Sequence, residues 1–170
     1  MQRKFTLPHP GSISRYSDFT GSSNALFFAQ LARQTKPVTI ITATALDAQQ
    51  LLEEIPFFAP ELRIHLLPDW ETLPYDIFSP HHDLVSERLA TLYQVMNKSC
   101  DVLIAPLTTV LYRILPCEYL AAHTFFLKKG ESLDISALRN QMSLAGYTHV
   151  TQVFSPGEYS MRGGLIDLFP

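Results

Sequence analysis

Val38-Thr39-Ile40-Ile41-Thr42 runs directly into Ala43-Thr44-Ala45-Leu46-Asp47, and the change of character between the two segments sets the fold. The first is short, apolar and β-branched, and branched side chains pack well on a pleated surface, so it reads as a buried strand. In the second, Thr44 and Asp47 have the spacing of a helix-capping pair, and Leu51, Leu52 and Ile55 continue as an apolar stripe at helical period. This helix is expected to end before Pro56, whose ring and missing N–H oppose continuation.

The same alternation extends in both directions. Upstream, after a leader through Gly11, residues Ser23 to Gln34 carry Leu26, Phe27, Leu31 and Ala32 at helical spacing and stop near Lys36-Pro37. Downstream, Ile64 to Leu67 is a second short strand. Asp83 is the expected cap of a third helix bearing Leu84, Arg88, Leu89, Leu92, Tyr93 and Met96, and Asp101 to Ala105 is a third strand.

Short apolar strands alternating with helices predict an α/β fold, a doubly wound, mostly parallel sheet covered by helices on both faces. Beyond Pro116 the order changes. A strand at Thr124 to Leu127, a helix from Asp134 to Ala145 closed by Gly146, and extended runs at Glu158-Tyr159-Ser160 and Leu165 to Phe169 predict part of a small α+β domain. The expected division is residues 1–118 and 119–170. The last run is an apolar strand with nothing after it to cover its edge, so the chain is expected to be a fragment.

Composition narrows the function classes. The 170 residues are 46% hydrophobic and 17% charged, enough for one good core or one core and part of another. No run of about 18 apolar residues occurs and the first residues lack a secretory signal pattern, so a cytoplasmic location is expected. Cys100 and Cys117 lie in apolar surroundings without CxxC spacing, as reduced packing residues do. A formal charge of -3 and a pI near 6.0 give no basic footprint for strong DNA binding by this chain alone.

The chemistry-bearing stretches are few. A phosphate-cradling loop needs glycines for close backbone approach, a lysine for the terminal phosphates and a hydroxyl for magnesium. Thr20-Gly21-Ser22-Ser23-Asn24-Ala25 sits before the first helix where such a loop would be, but only Gly21 fits. Ser23 replaces the second glycine, Asn24 the lysine and Ala25 the hydroxyl. Because phosphoryl transfer depends on positioning and charge, this loop is expected to support no hydrolysis.

Leu67-Pro68-Asp69-Trp70-Glu71-Thr72-Leu73-Pro74-Tyr75-Asp76 gathers the single tryptophan with three carboxylates, yet its spacing supplies no base, nucleophile and oxyanion donor together. It reads as a rigid loop packed by Trp70 and Tyr75. His81-His82-Asp83 reads as a helix entry rather than a metal site, and Ser86-Glu87-Arg88 as a solvated face. No catalytic residue, metal or cofactor is expected. Gly157-Glu158-Tyr159-Ser160-Met161-Arg162-Gly163-Gly164 reads as strand, glycine turn, strand. There Arg162 serves either a surface salt bridge or a planar fork toward a partner's carboxylate.

The segment Leu67 to His81 (LPDWETLPYDIFSPH), followed by Gly157 to Pro170 (GEYSMRGGLIDLFP), resembles the N-terminal region of the bacterial transcription-repair coupling factors, and the likeness runs from about Phe5 to Pro170. That family's region is similar to UvrB: a degenerate ATPase-like domain followed by a small domain that binds UvrA. The resemblance implies a docking module that recruits UvrA to stalled RNA polymerase. Arg162 matches an arginine of the UvrA-binding surface, and Glu158 and Tyr159 are further candidates. The Ser23-Asn24-Ala25 sequence agrees with the coupling factor's inactive loop. Between Tyr75 and Leu84 there is no room for the long damage-probing hairpin of UvrB.

In that family the small domain continues past Pro170, and contacts to RNA polymerase and DNA belong to downstream domains. A second reading takes the chain as the nucleotide-binding part of an ATP-dependent DNA helicase or translocase. A third, a dinucleotide enzyme, has only the α/β pattern behind it, since no GxGxxG loop follows a strand.

Overall fold

A computed structural model describes residues 9, 11–72, 76–77, 79–122, 129–130 and 132–169. The chain separates into two compact units, Met1–Ile114 and Leu115–Pro170. No helix among the described residues is long and apolar enough to cross a membrane.

In the first unit, α1 (Ser23–Gln34), β1 (Val38–Thr42), α2 (Ala45–Phe58), β2 (Ile64–Leu66), α3 (His82–Met96), β3 (Val102–Pro106) and the short α4 (Leu107–Val110) follow in order. The strands form one parallel sheet in the order β1-β3-β2, with Val38 and Ile64 both in register with Val102. Ile104 of the central strand, fully buried, contributes on the order of 1.5–3 kcal/mol by leaving water.

α2 begins as its sequence requires. Asp47 N–H donates to Thr44 Oγ1 at 3.1 Å and Thr44 N–H donates to Asp47 Oδ2 at 3.2 Å, closing a capping box. The helix does not stop at Pro56 but continues to Phe58. Proline removes one hydrogen bond in this last turn, while Ile55 and Ala59, both fully buried, hold the end in the core.

On α1 the buried stripe is Ala25, Phe27, Ala29 and Ala32, whereas Leu26, expected inward, is exposed. Small alanines let α1 lie close against α2, and both helices join one cluster with Val38 and Ile40. The opposite side of β1 stays open: Thr39 and Ile41 are exposed, Ile41 at 54%. Among the described residues, therefore, helices cover β1 on the Val38 side, where α1 and α2 share a cluster, and not on the Ile41 side.

The entries to the three strands are tied together by one buried carboxylate. Asp101 accepts from the Arg63 backbone N–H at 3.0 Å, from Arg63 Nε at 3.1 Å and from a terminal nitrogen of its guanidinium at 2.9 Å. Lys36 Nζ lies 3.3 Å from the same carboxylate. The Arg63 hydrogen bonds hold the Asp101 carboxyl well below the usual carboxylate range, more than burial raises it.

α3 is capped by His81 rather than Asp83: His81 Nδ1 accepts from Asp83 N–H at 3.3 Å, and Asp83 already lies in the first turn. Cys100 is buried as expected, and burial pushes its thiol up. Cys117, expected as a packing residue, is exposed, at the start of a short helix, α5 (Cys117–Ala122), that sequence periodicity does not reveal.

The second unit also contains α6 (Ile135–Leu144), β4 (Thr148–His149), β5 (Glu158–Arg162) and β6 (Leu165–Leu168). The Asp134 carboxylate accepts from the N–H groups of Ser136 and Ala137 at 2.8 and 3.1 Å, capping α6. At the other end Gly146 has φ +87°, and the N–H groups of Gly146 and Tyr147 donate back to Ser143 and Met142. That paired closure uses the left-handed conformation glycine adopts without strain.

β4 pairs in parallel with β5, and β5 pairs antiparallel with β6 through a turn at Gly163-Gly164, with φ +58° at Gly163. Leu138 and Met142 of α6 pack on Tyr159, with Met161, Ile166 and Leu168 around them. The strand expected at Thr124 to Leu127 lies outside the described residues.

Candidate docking site

The β5–β6 hairpin carries all three candidate docking residues, and the structure gives them different surroundings. Side chains alternate along β5, so Tyr159 points to α6 while Glu158 and Arg162 point away. Tyr159 is 2% exposed, its ring 5.1 Å from that of His149. It supports the hairpin from inside and offers no surface to a partner.

Glu158 is half-buried and shapes the loop before it. Its carboxylate accepts from the N–H groups of Phe154 and Ser155 at 2.8 and 2.9 Å, and these bonds lower its pKa from the usual value. Arg162 is exposed and donates to the Thr151 carbonyl, which also accepts from Ser160 Oγ at 3.1 Å. The partner of Arg162 is thus a carbonyl, which fixes the direction of the guanidinium without neutralising it. The arrangement presents a cation at the end of a strand seated on a packed helix, and it can bind a carboxylate in a planar, two-bond fashion.

The stretch Thr20 to Ala25 has the opposite character. Thr20 N–H donates to Ser23 Oγ at 2.8 Å, and Ala25 N–H donates to the side-chain oxygen of Asn24 at 2.7 Å. Two backbone donors that a phosphate would need are thereby satisfied within the loop. Ser22 is the cap of α1 yet makes no side-chain capping bond, Gly21 has φ +53° in open space, and Ala25 is buried. Among the described residues no strand precedes this loop, whereas a working phosphate loop joins a strand to a helix.

At the C-terminal ends of β2 and β3 the loop expected to be packed by Trp70 meets Arg88, a residue that the sequence reading placed on a solvated face. Arg88 is 3% exposed, its guanidinium 4.1 Å from the centre of the Trp70 ring, and it donates to the Pro68 carbonyl. Burial pulls its pKa down from the ordinary arginine value, and nearby Asp69 acts in the opposite direction.

Asp69 accepts from Thr108 Oγ1 at 2.7 Å, and Thr91 Oγ1 donates to the Leu66 carbonyl at 2.9 Å. The first part of the tryptophan loop is therefore clamped in place; Tyr75 lies outside the described residues. A signal existed, because Arg88 stands four residues from both Leu84 and Leu92, on the helix's apolar stripe. His81 Nδ1 and Asp83 Oδ2 are 3.3 Å apart, and among the described residues no group of three or more metal-binding side chains gathers.

A family model described as the UvrB interaction domain matches residues 125–170. The chain is 43% identical over 171 residues to the transcription-repair-coupling factor of Escherichia coli (strain K12), a match covering 99% of this chain and 15% of that protein. The Haemophilus influenzae protein of the same name is 37% identical over 152 residues, and the Bacillus subtilis one 26% over 152 residues. These cover 87% and 89% of this chain, and 13% of each relative.

Proposed function

This chain belongs to the transcription-repair-coupling factor family, and from that premise we propose that it is a non-catalytic docking module that recruits UvrA in transcription-coupled nucleotide excision repair. The observation that carries the reading is Arg162, an exposed cation on a hairpin packed against α6, within the segment that matches the UvrB interaction domain. The chain spans about 15% of the length of its relative from Escherichia coli. Translocation on DNA and contact with RNA polymerase are assigned to the remainder of such a protein, acting in the cytoplasm.

The first unit is read as a degenerate, doubly wound ATPase-like scaffold. Its parallel strands β1-β3-β2, joined through helices, support that ancestry. The loop at Thr20 to Ala25, which satisfies its own donors, supports the loss of nucleotide binding.

Two measurements test this. In a titration with purified UvrA, Arg162→Ala is expected to weaken binding about tenfold or more, with an unchanged far-ultraviolet circular dichroism spectrum. Equal affinity of wild type and variant would remove Arg162 from the site. In calorimetry with ATP and magnesium, the chain is expected to give no saturable heat, and turnover should stay at background. A saturable response lost on changing Ser23 or Asn24 would favour the nucleotide-binding part of a helicase or translocase instead.

A further inference from the structure

Glu158, Ser160 and Arg162 alternate along β5, so their side chains leave the strand on the side away from α6. All three bond to the same short loop, residues 151–155. One oxygen of the Glu158 carboxylate accepts from the N–H groups of Phe154 and Ser155, at 2.8 and 2.9 Å. The Glu158 backbone N–H donates back to the Ser155 carbonyl at 3.2 Å, so side chain and main chain together close this end of the loop. At the other end Ser160 Oγ and Arg162 both donate to the Thr151 carbonyl, and the neighbouring Val150 N–H donates to the Tyr159 carbonyl. The loop screens Ser160, which is 2% exposed, while Thr151, Phe154 and Ser155 face solvent.

This arrangement bears on Arg162. A long side chain that is free before binding loses rotamer freedom when it meets a partner, and one already held loses less. The bond to Thr151 engages a single terminal nitrogen of the guanidinium, which leaves an edge of two parallel N–H groups open to a carboxylate. Where that edge points depends on the Thr151 carbonyl, and the carbonyl belongs to a loop whose far end Glu158 fixes.

We propose that Glu158 is a positioning residue: by holding residues 151–155 it sets the Thr151 carbonyl and so aims Arg162 at a carboxylate on UvrA, without touching UvrA itself. The assignment rests on the docking reading above and changes the part of Glu158 in it from contact to support. The second oxygen of the Glu158 carboxylate makes no bond among the described residues, so direct contact with a partner's cation is the competing role. The two roles differ in how the effects of Glu158 and Arg162 combine.

The test titrates UvrA against the full chain and its Glu158→Ala, Glu158→Gln, Arg162→Ala and Glu158→Ala/Arg162→Ala variants, with circular dichroism to verify folding. Glu158→Ala is expected to weaken binding about three- to tenfold. Glu158→Gln keeps an oxygen for both N–H groups and should stay within about twofold of wild type. The double variant should bind as Arg162→Ala does, because a residue that acts only through Arg162 has nothing left to aim. Additive losses in the double variant, or equal losses with alanine and glutamine, overturn the assignment in favour of direct contact. Unfolding of the second unit in Glu158→Ala overturns it in favour of a structural role.

A second readout needs no UvrA. The Nε–Hε order parameter of Arg162, from nitrogen relaxation, should fall in Glu158→Ala and hold in Glu158→Gln. An unchanged value in Glu158→Ala overturns the aiming step even where binding falls. If the order parameter falls but Arg162→Ala binds UvrA as wild type does, the docking reading fails and takes the proposal with it.

Discussion

Tyr159→Ala is expected to unfold the second unit. The side chain is 2% exposed and fills the space between Leu138 and Met142 of α6 and the inner face of the hairpin. Removing a large buried ring costs about 3–5 kcal/mol, through lost transfer energy and the cavity left behind. A unit this small has little stability to spare, so the loss should consume most or all of it.

The expected result is disappearance of one thermal transition in circular dichroism and loss of UvrA binding together. Tyr159→Phe keeps the ring and should keep the unit folded. Retention of the second unit in Tyr159→Ala would show that the hairpin is held by other contacts. The contrast with Arg162→Ala, where binding is expected to fall without unfolding, separates the residue that builds the hairpin from the one proposed to meet the partner.

The second large effect is expected at Asp101. Replacing it with asparagine removes the charge that Arg63 and Lys36 both address and leaves one oxygen where two accept, at a buried position joining the starts of all three strands. A loss of about 2–4 kcal/mol from the first unit is expected, less than for a fully buried pair because both cations reach solvent.

The pH dependence has a defined sign. The folded carboxyl titrates below its unfolded value, so its contribution is fully present above about pH 4 and is lost as pH falls through that region toward the folded value. Urea midpoints of the unaltered chain should decline on acidification, and those of Asp101→Asn should decline less. Parallel decline in both proteins would show that other carboxylates control acid stability.

Asp101 also illustrates where sequence reading runs out. It was legible only as the first residue of a strand, because its partners stand far away in the chain and meet it only when the strands pair. The elements legible from the sequence were specified locally. The β-branched run at Val38 to Thr42 and the reciprocal Thr44 and Asp47 side chains needed no knowledge of neighbours. Coverage of the sheet is a property of those neighbours, and an apolar residue such as Ile41 looks the same in sequence whether or not a helix lies over it.

Within the candidate site, Arg162 was legible from the adjoining glycine turn and the family resemblance. The placement of Tyr159 was also recoverable, since period-two alternation separates it from Glu158, Ser160 and Arg162. At Arg88 a charged residue at an apolar helical position was assigned to solvent by its charge, when its spacing from Leu84 and Leu92 pointed inward.

The stack of Trp70 on Arg88 has a practical consequence for all of these measurements. Trp70 is the single tryptophan of the chain and belongs to the first unit, where it lies against a buried cation. Its fluorescence emission will follow the melting of that unit, whereas the hairpin holds only tyrosine and phenylalanine as aromatic rings. One optical channel thus belongs to the scaffold alone.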